Sequence, residues 1–503
     1  MKPTHFFGTD GIRGLYGHYP LTPKGMWSLG VALGRWILDH DSVNPFVLIG
    51  KDTRASCQAI EQALCAGLDV CGIRAISIGC APTPAVSFLT RAHSASAGLM
   101  ISASHNPSMY NGIKIFNRIG EKLSIEQEQL ISSYISGDHC GENHHGSAST
   151  PIHSGTDYLK EYQDFLIQNT PELPPLRIVV DCAHGAYSAT AAHILQEKGA
   201  DVVDVLGCSP DGHNINAECG AVYPERLAHA VVQHGADVGI SFDGDGDRVI
   251  LVTADGQIQD GDQILALLAE NRFVEHKAFI GQWHQVGHAD VENSPLGILN
   301  TGLGPDYVGN RVSPRMVHPT FSGVVGTVLS NLGLERFLQS KNIPFVRTHV
   351  GDRWIAKKLK ELGWTLGGES CGHIILADAL PTGDGLLAGL HALHYIGTHI
   401  HRHGHGAEKN QGLFPIFQPT PSAMVNMTLR VPQFCQHAKF LDYYQKIQSQ
   451  MGEDERVLLR PSGTEPLLRI LVEGASQEFV SHLAKTIAND LEEQQCALEN
   501  QRV

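Results

Sequence analysis

The sequence predicts a multidomain α/β protein ending in a smaller α+β unit, and three observations predict it. The chain has 503 residues, well past the size at which one hydrophobic core stops growing, so roughly three or four domains are expected. Most of its length alternates short apolar strand patterns with helical ones, the signature of layered domains with mainly parallel strands. Only the last stretch, 422–493, runs strands together with flanking helices.

Taken in order, Phe46–Gly50 reads as a strand, and Ala55–Gly72 has helical periodicity with Ser56 near its start. Ala75–Ile78 and Ala97–Ile101 read as further strands. A Gly-, His- and Ser-rich stretch, 137–154, follows as a linker or long surface loop. In the second block Leu176–Asp181, Val202–Val205 and Asp237–Phe242 are strands, and Ala186–Lys198 and Pro224–His234 are helices. The third opens at Arg248 with the apolar run Val249–Thr253 and a helix over Asp262–Arg272. It resumes with a helix near Leu329–Ser340, a strand at Phe345–Thr348 and a helix over Arg353–Leu362. Between its halves, 281–321 is rich in Gly, Pro, Asn and His without periodicity, which marks a functional or flexible segment. The last block holds strands at Met424–Leu429, Val457–Leu459 and Leu468–Val472 and a final helix. The tract His399–His405 before it reads as an exposed linker that could take a transition metal adventitiously. These breaks divide the chain into 1–152, 153–247, 248–398 and 399–503.

Lys and Arg number 37 against 52 Asp and Glu, a net charge of −15. That balance excludes a broad nucleic-acid surface, so an anionic substrate must be held by a few local cations. The amino terminus carries no signal-peptide core, and no apolar run is long enough to cross a bilayer. The 11 cysteines are scattered, without metal spacing or a disulfide framework. A cytoplasmic protein with no membrane partner is expected.

Chemistry concentrates in four loops, each beside a strand end, where ligands gather in α/β folds. In Ile101-Ser102-Ala103-Ser104-His105-Asn106-Pro107 a serine becomes a nucleophile only if its proton is taken or its alkoxide stabilised, and His105 and Lys114 are near enough to do either. The bland alternative is a serine-rich turn capping a strand. In Asp243-Gly244-Asp245-Gly246-Asp247-Arg248, carboxylates on alternate residues converge on one hard cation while the glycines let the chain turn. A calcium loop of the EF-hand type is excluded, because Arg248 and Ala254 stand where Gly and an acidic residue are needed. Oxygen ligands alone favour Mg²⁺. Gly367-Gly368-Glu369-Ser370-Cys371-Gly372-His373 offers a carboxylate, a hydroxyl and an imidazole suited to sugar hydroxyls. Arg460-Pro461-Ser462-Gly463-Thr464-Glu465-Pro466, followed by Arg469, offers two guanidinium groups, hydroxyls and backbone N–H groups suited to a phosphate dianion, or else a plain polar loop with a salt bridge.

Together, and in this order, the loops resemble those of the α-D-phosphohexomutase family, from Gly8 to Arg469. Phe7-Gly8-Thr9-Asp10-Gly11-Ile12-Arg13-Gly14, the Ser462-Gly463-Thr464-Glu465-Pro466 loop and Val325-Gly326-Thr327-Val328-Leu329-Ser330-Asn331 are most similar to its phosphoglucosamine mutase branch. The resemblance implies four domains around a central cleft, three related α/β layered domains followed by the smaller α+β one. It implies that Ser104 carries a phosphoryl group and, with Asp243, Asp245 and Asp247, holds Mg²⁺. Arg13 and Lys114 would surround the transferring phosphoryl group, Lys114 or His105 would assist proton transfer, and Arg248 would steady the site. Glu369, Ser370 and His373 would meet the sugar, and Arg460, Ser462, Gly463, Thr464 and Arg469 the distal phosphate. The implied reaction interconverts glucosamine 6-phosphate and glucosamine 1-phosphate through glucosamine 1,6-bisphosphate. A phosphomannomutase/phosphoglucomutase and a non-catalytic phosphosugar-binding regulator are the alternatives. Two departures stand out: Cys371 occupies a position where the family loop usually has Ser, and 281–321 looks like an insertion.

Overall fold

The computed structural model describes residues 6–8, 11–40, 44–136, 152–285, 321–403, 414–431, 433–462 and 466–500. Three of its four sheets repeat one wiring. A central strand pairs in parallel with the next two strands of the chain, one on each side, and a fourth then runs antiparallel beside the third. Phe46–Lys51, Arg74–Cys80, Ala97–Ile101 and Tyr110–Asn117 do this in the first sheet, which adds Ile12–Leu15 at one edge and His153–Ser154 at the other. Arg177–Asp181, Asp201–Leu206, Val238–Phe242 and Val249–Thr253 do so in the second. Val324–Thr327, Phe345–Thr348, Leu366–Gly368 and Ile374–Leu376 repeat it in the third.

Strands covered by helices on both faces must be apolar throughout, and every residue of Ala97–Ile101 and Val238–Phe242 is buried. The wiring has a consequence for chemistry. In each sheet the turn from third to fourth strand leaves the carboxyl end of a strand beside the point where strand order reverses, the place where such sheets collect ligands. Three of the four loops occupy that turn: Ser104 follows Ala97–Ile101, the aspartates follow Val238–Phe242, and Glu369 follows Leu366–Gly368.

The fourth sheet is antiparallel, with Leu467–Glu473 between Ser422–Thr428 and Arg456–Pro461. Helices Ala438–Gln450 and Gln477–Asn500 close its own core around Phe440, Ile447, Val480, Ile487 and Leu491. A single apolar cluster, by contrast, runs through the first three sheets, from Met100 through Tyr187 and Ile240 to Leu366 and Ile396. Among the described contacts the fourth unit reaches the third through polar groups, including Arg456 Nη2 to the Ser330 carbonyl at 3.0 Å and Leu332 N to Glu473 Oε1 at 3.0 Å.

Several sequence expectations shift. The break expected at 247/248 falls later, because Val249–Thr253 and Ile258–Gln259 complete the second sheet. The helix expected from Ala186 begins only at Ala191. Ala183 and His184 take positive φ, and Ala186 N turns to the Gly244 carbonyl at 2.9 Å, so this stretch braces the acidic loop. Asp262–Arg272 is part of a longer helix, Gly261–Gln285. The expected linker tract at 399 starts inside the helix Gly385–His403, with Ile400 buried, and residues 404 and 405 lie outside the described residues. Most of 137–154 and of the expected insertion, 286–320, also lies outside them.

Candidate active site

Ser104 is fully buried, and its Oγ donates to Asp243 Oδ2 at 2.6 Å across 139 residues of chain. On its other side stands His105 Nδ1, 3.4 Å from Oγ. Burial, helped by the Arg248 and Arg13 guanidinium groups, pushes the His105 imidazole down to about 3, so this ring is neutral at physiological pH.

The three aspartates face one another, with one oxygen from each lying within 4.8 Å of the others. All are buried, which no set of like charges tolerates without compensation. Lys114 supplies part of it: Nζ donates to Asp245 Oδ2 at 2.7 Å and to Asp247 Oδ2 at 2.6 Å. Thr83 Oγ1, from the first residue of the helix Thr83–Ala92, also donates to Asp245 Oδ2, at 2.6 Å. Asp245 Oδ1 and Asp247 Oδ1 are buried without a hydrogen-bond partner among the described residues. Three buried carboxylates converging this closely, two of them with an oxygen that makes no hydrogen bond among the described residues, fit a hard divalent cation bound through oxygen.

Charge sorts within the triad. Burial and the two neighbouring carboxylates push Asp243 up to about 7. Burial also works against ionising Asp247, but Lys114, then His373 and Arg248, hold it well below the usual carboxylate range. Asp243 is therefore protonated below about pH 7, and a cation must displace that proton. Cation affinity should weaken by up to about tenfold per pH unit on going below pH 7. Calorimetric titration of Mg²⁺ on either side of neutrality checks this; equal affinities would remove Asp243 from the ligand set.

The sugar-binding candidate loop leans on the acidic one. Val249 N donates to the Gly372 carbonyl at 3.0 Å, and Arg248 and His373 form a bridge. His373, at 3% exposure, lies 3.6 Å from both Asp247 Oδ1 and Asp352 Oδ2. It is thus packed between two carboxylates. Glu369 accepts from Gly351 N at 3.0 Å, Ser370 is half-buried, and Cys371 is exposed. Arg248 Nε lies 3.8 Å from Asp243 Oδ2 and 3.9 Å from Asp247 Oδ1. Arg13 Nη1 reaches Asn106 Oδ1 at 3.4 Å, which joins the amino-terminal loop to the nucleophile loop.

In the fourth unit Arg460 and Arg469 sit directly opposite each other on paired strands. Like charges so placed are destabilising. Burial and then Arg469 lower the Arg460 guanidinium, while Glu369 acts on it in the opposite sense. Arg460 Nη1 is buried without a partner among the described residues. A bound anion would offset this repulsion. Ser462 N is held by the Leu467 carbonyl at 2.7 Å, whereas Gly463 and Thr464 lie outside the described residues.

Sequence reasoning missed Asp52, Arg54, Thr83, Asn216 and Asp352, all of which touch these loops. A signal existed for the first two: the charged run Asp52-Thr53-Arg54 directly follows the apolar strand Phe46–Lys51.

Comparisons with known proteins agree with this arrangement. Four family descriptions of phosphoglucomutase/phosphomannomutase match in chain order: alpha/beta/alpha domain I over 4–139, domain II over 156–256, domain III over 308–407, and the C-terminal domain over 426–490. Phosphoglucosamine mutase of Proteus mirabilis is 39% identical over 493 residues, covering 97% of this chain and 99% of that protein. A phosphoglucomutase/phosphomannomutase family protein of Burkholderia thailandensis superposes with a TM-score of 0.72 at 22% identity, covering 97% of both chains. N-acetylphosphoglucosamine mutase of Aspergillus fumigatus, solved with GlcNAc-6P and magnesium, shares the fold with a TM-score of 0.57 at 16% identity, over 97% of this chain and 96% of that one.

Proposed function

The chain belongs to the phosphoglucomutase/phosphomannomutase family, and from that premise we propose that it interconverts glucosamine 6-phosphate and glucosamine 1-phosphate through a phosphorylated Ser104. The observation that carries this reading is the 2.6 Å contact between the Ser104 hydroxyl and Asp243, inside a ring of three carboxylates. The substrate follows from relatives of 37–39% identity that span the chain and are phosphoglucosamine mutases.

Phosphoryl transfer asks for positioning and for cancelling charge on the phosphoryl oxygens. Mg²⁺ held by Asp243, Asp245, Asp247 and the Ser104 phosphate would supply Lewis-acid neutralisation there. The remaining work falls to side chains. Lys114, fixed between Asp245 and Asp247, presents its amine at the reacting end, and Arg13 is tied to the same loop through Asn106. In the forward step the Ser104 Oγ–phosphorus bond breaks as a sugar hydroxyl oxygen bonds to phosphorus. The hydroxyl proton is given up as the new bond forms, and the departing Ser104 Oγ regains one, which His105 Nδ1, 3.4 Å from Oγ, is placed to relay. The bisphosphate then turns end for end, and its other phosphoryl group returns to Ser104.

Turning requires a second site indifferent to which phosphate it holds. Arg460 and Arg469 contact charge rather than sugar stereochemistry, so either phosphate satisfies them. Arg460→Ala should raise KM for glucosamine 6-phosphate by about 10²-fold with a smaller change in the rate of phosphate loss from Ser104. Steady-state kinetics with single-turnover dephosphorylation separates these; an unchanged KM would remove Arg460 from the distal site. Parallel assays on glucosamine, glucose and mannose phosphates test the substrate, and a preference for glucose or mannose would overturn it.

A further inference from the structure

Ser104 is the strained residue of its loop. Its φ is 51°, the left-handed region that a side chain with a Cβ holds only where its surroundings over-determine it. What over-determines it is a closed hydrogen-bonded circuit. Ser104 N donates to Ser102 Oγ at 2.8 Å, and Ser102 Oγ donates to Asp52 Oδ2 at 2.7 Å. The same Asp52 oxygen accepts from Arg54 Nε at 2.9 Å, and Arg54 Nη2 returns to the Ser104 carbonyl at 2.9 Å.

Arg54 does more than close the ring. Nη2 also reaches the Asn106 carbonyl at 2.8 Å, and Nη1 reaches those of Pro107 at 2.5 Å and Tyr110 at 3.1 Å. With Nε on Asp52, all five guanidinium N–H groups are used, four of them on carbonyls of one loop. From the second sheet's side, Asn216 Nδ2 adds bonds to Ser104 O at 2.9 Å and Asn106 O at 3.2 Å. These carbonyls lie at separate points along an irregular loop and the first residue of the strand after it, and a planar fork reaches them all in a way that lysine's single point of attachment does not.

Asp52 and Arg54 are 3% and 2% exposed. We infer that they are positioning residues for phosphoryl transfer: a buried brace that holds Ser104 N–H and C=O in the left-handed conformation and so aims Oγ into the acidic ring. The inference rests on Ser104 being the phosphorylated residue. It predicts that the brace governs the transfer rate and leaves sugar-phosphate binding, which belongs to the other loops, alone.

Arg54→Lys and Ser102→Ala test this. Each should lower kcat and the single-turnover rate of phosphate transfer from Ser104 to sugar together, by about 10²-fold, with KM for glucosamine 6-phosphate within about twofold of wild type. A lowered melting temperature with the transfer rate per folded molecule unchanged would overturn the brace, as would a raised KM at unchanged kcat. Wild-type protein is the control for the premise: if it shows no substrate-removable phosphate on Ser104, the nucleophile reading fails and not the brace. The strain itself is read without catalysis. Ser104→Gly should melt higher than Ser104→Ala, because glycine occupies this φ freely. That gap should shrink when Ser102→Ala is added; no gap in the braced protein overturns the inference even if Arg54→Lys does not fold.

Discussion

Ser104→Ala should lose turnover by roughly 10⁴-fold or more while the fold survives. The hydroxyl is the atom that carries the phosphoryl group in this account, and no other hydroxyl among the described residues donates to Asp243. The structural cost is smaller. Removing the 2.6 Å donor leaves a buried Asp243 oxygen short of a partner, a penalty of about 1–3 kcal/mol, which bound cation should offset. Circular dichroism and thermal melting with Mg²⁺ should therefore look near wild type. Turnover within about tenfold of wild type would discard the assignment.

Asp247→Asn should come next in size. The substitution keeps shape and removes charge, so it separates ligation from packing. The carboxylate charge at Asp247 disappears, and of the two carboxylates that Lys114 meets among the described residues Asp245 remains. Cation affinity should fall by at least about 10–100-fold and kcat by about 10³-fold even at saturating Mg²⁺, because Lys114 loses one of the two carboxylates that fix it at the reacting end. Titrating activity and heat of binding against Mg²⁺ measures both. Normal affinity with normal kcat would mean that the ring does not serve transfer.

The parts of this site that were readable from sequence are those whose chemistry is compressed into adjacent residues. Asp243, Asp245 and Asp247 alternate with glycines, and so many carboxylates in one turn admit few explanations besides a cation. Ser104 was readable because it follows a wholly apolar strand, and the paired arginines because they flank one glycine-containing loop. Arg54, Thr83 and Asn216 were not, since each acts at a distance in sequence: Arg54 lies 50 residues before Ser104, Thr83 162 before Asp245, and Asn216 112 after Ser104. Only the strand wiring brings them together. The same cause misled the local reading elsewhere. Ala186–Thr190 has helical composition, yet the neighbouring positive-φ pair Ala183 and His184 steers it against Gly244. Arg248 looked like a fresh start because it follows the acidic loop, whereas Val249–Thr253 folds back antiparallel onto Val238–Phe242.

The shared position of the loops, each at the turn from third to fourth strand, explains how one chain builds a reaction centre from pieces so far apart. Each of the first three sheets places one candidate loop at an equivalent turn, and the fourth unit, with polar contacts around Ser330 and Glu473, carries the loop proposed to clamp the distal phosphate.

Peptide mass spectrometry of the protein incubated with glucose 1,6-bisphosphate, then chased with glucosamine 6-phosphate, tests the central claim most directly. One phosphate should reside on the peptide containing Ser104 and vanish on the chase. A phosphate on another residue, or one on Ser104 that substrate does not remove, would contradict it.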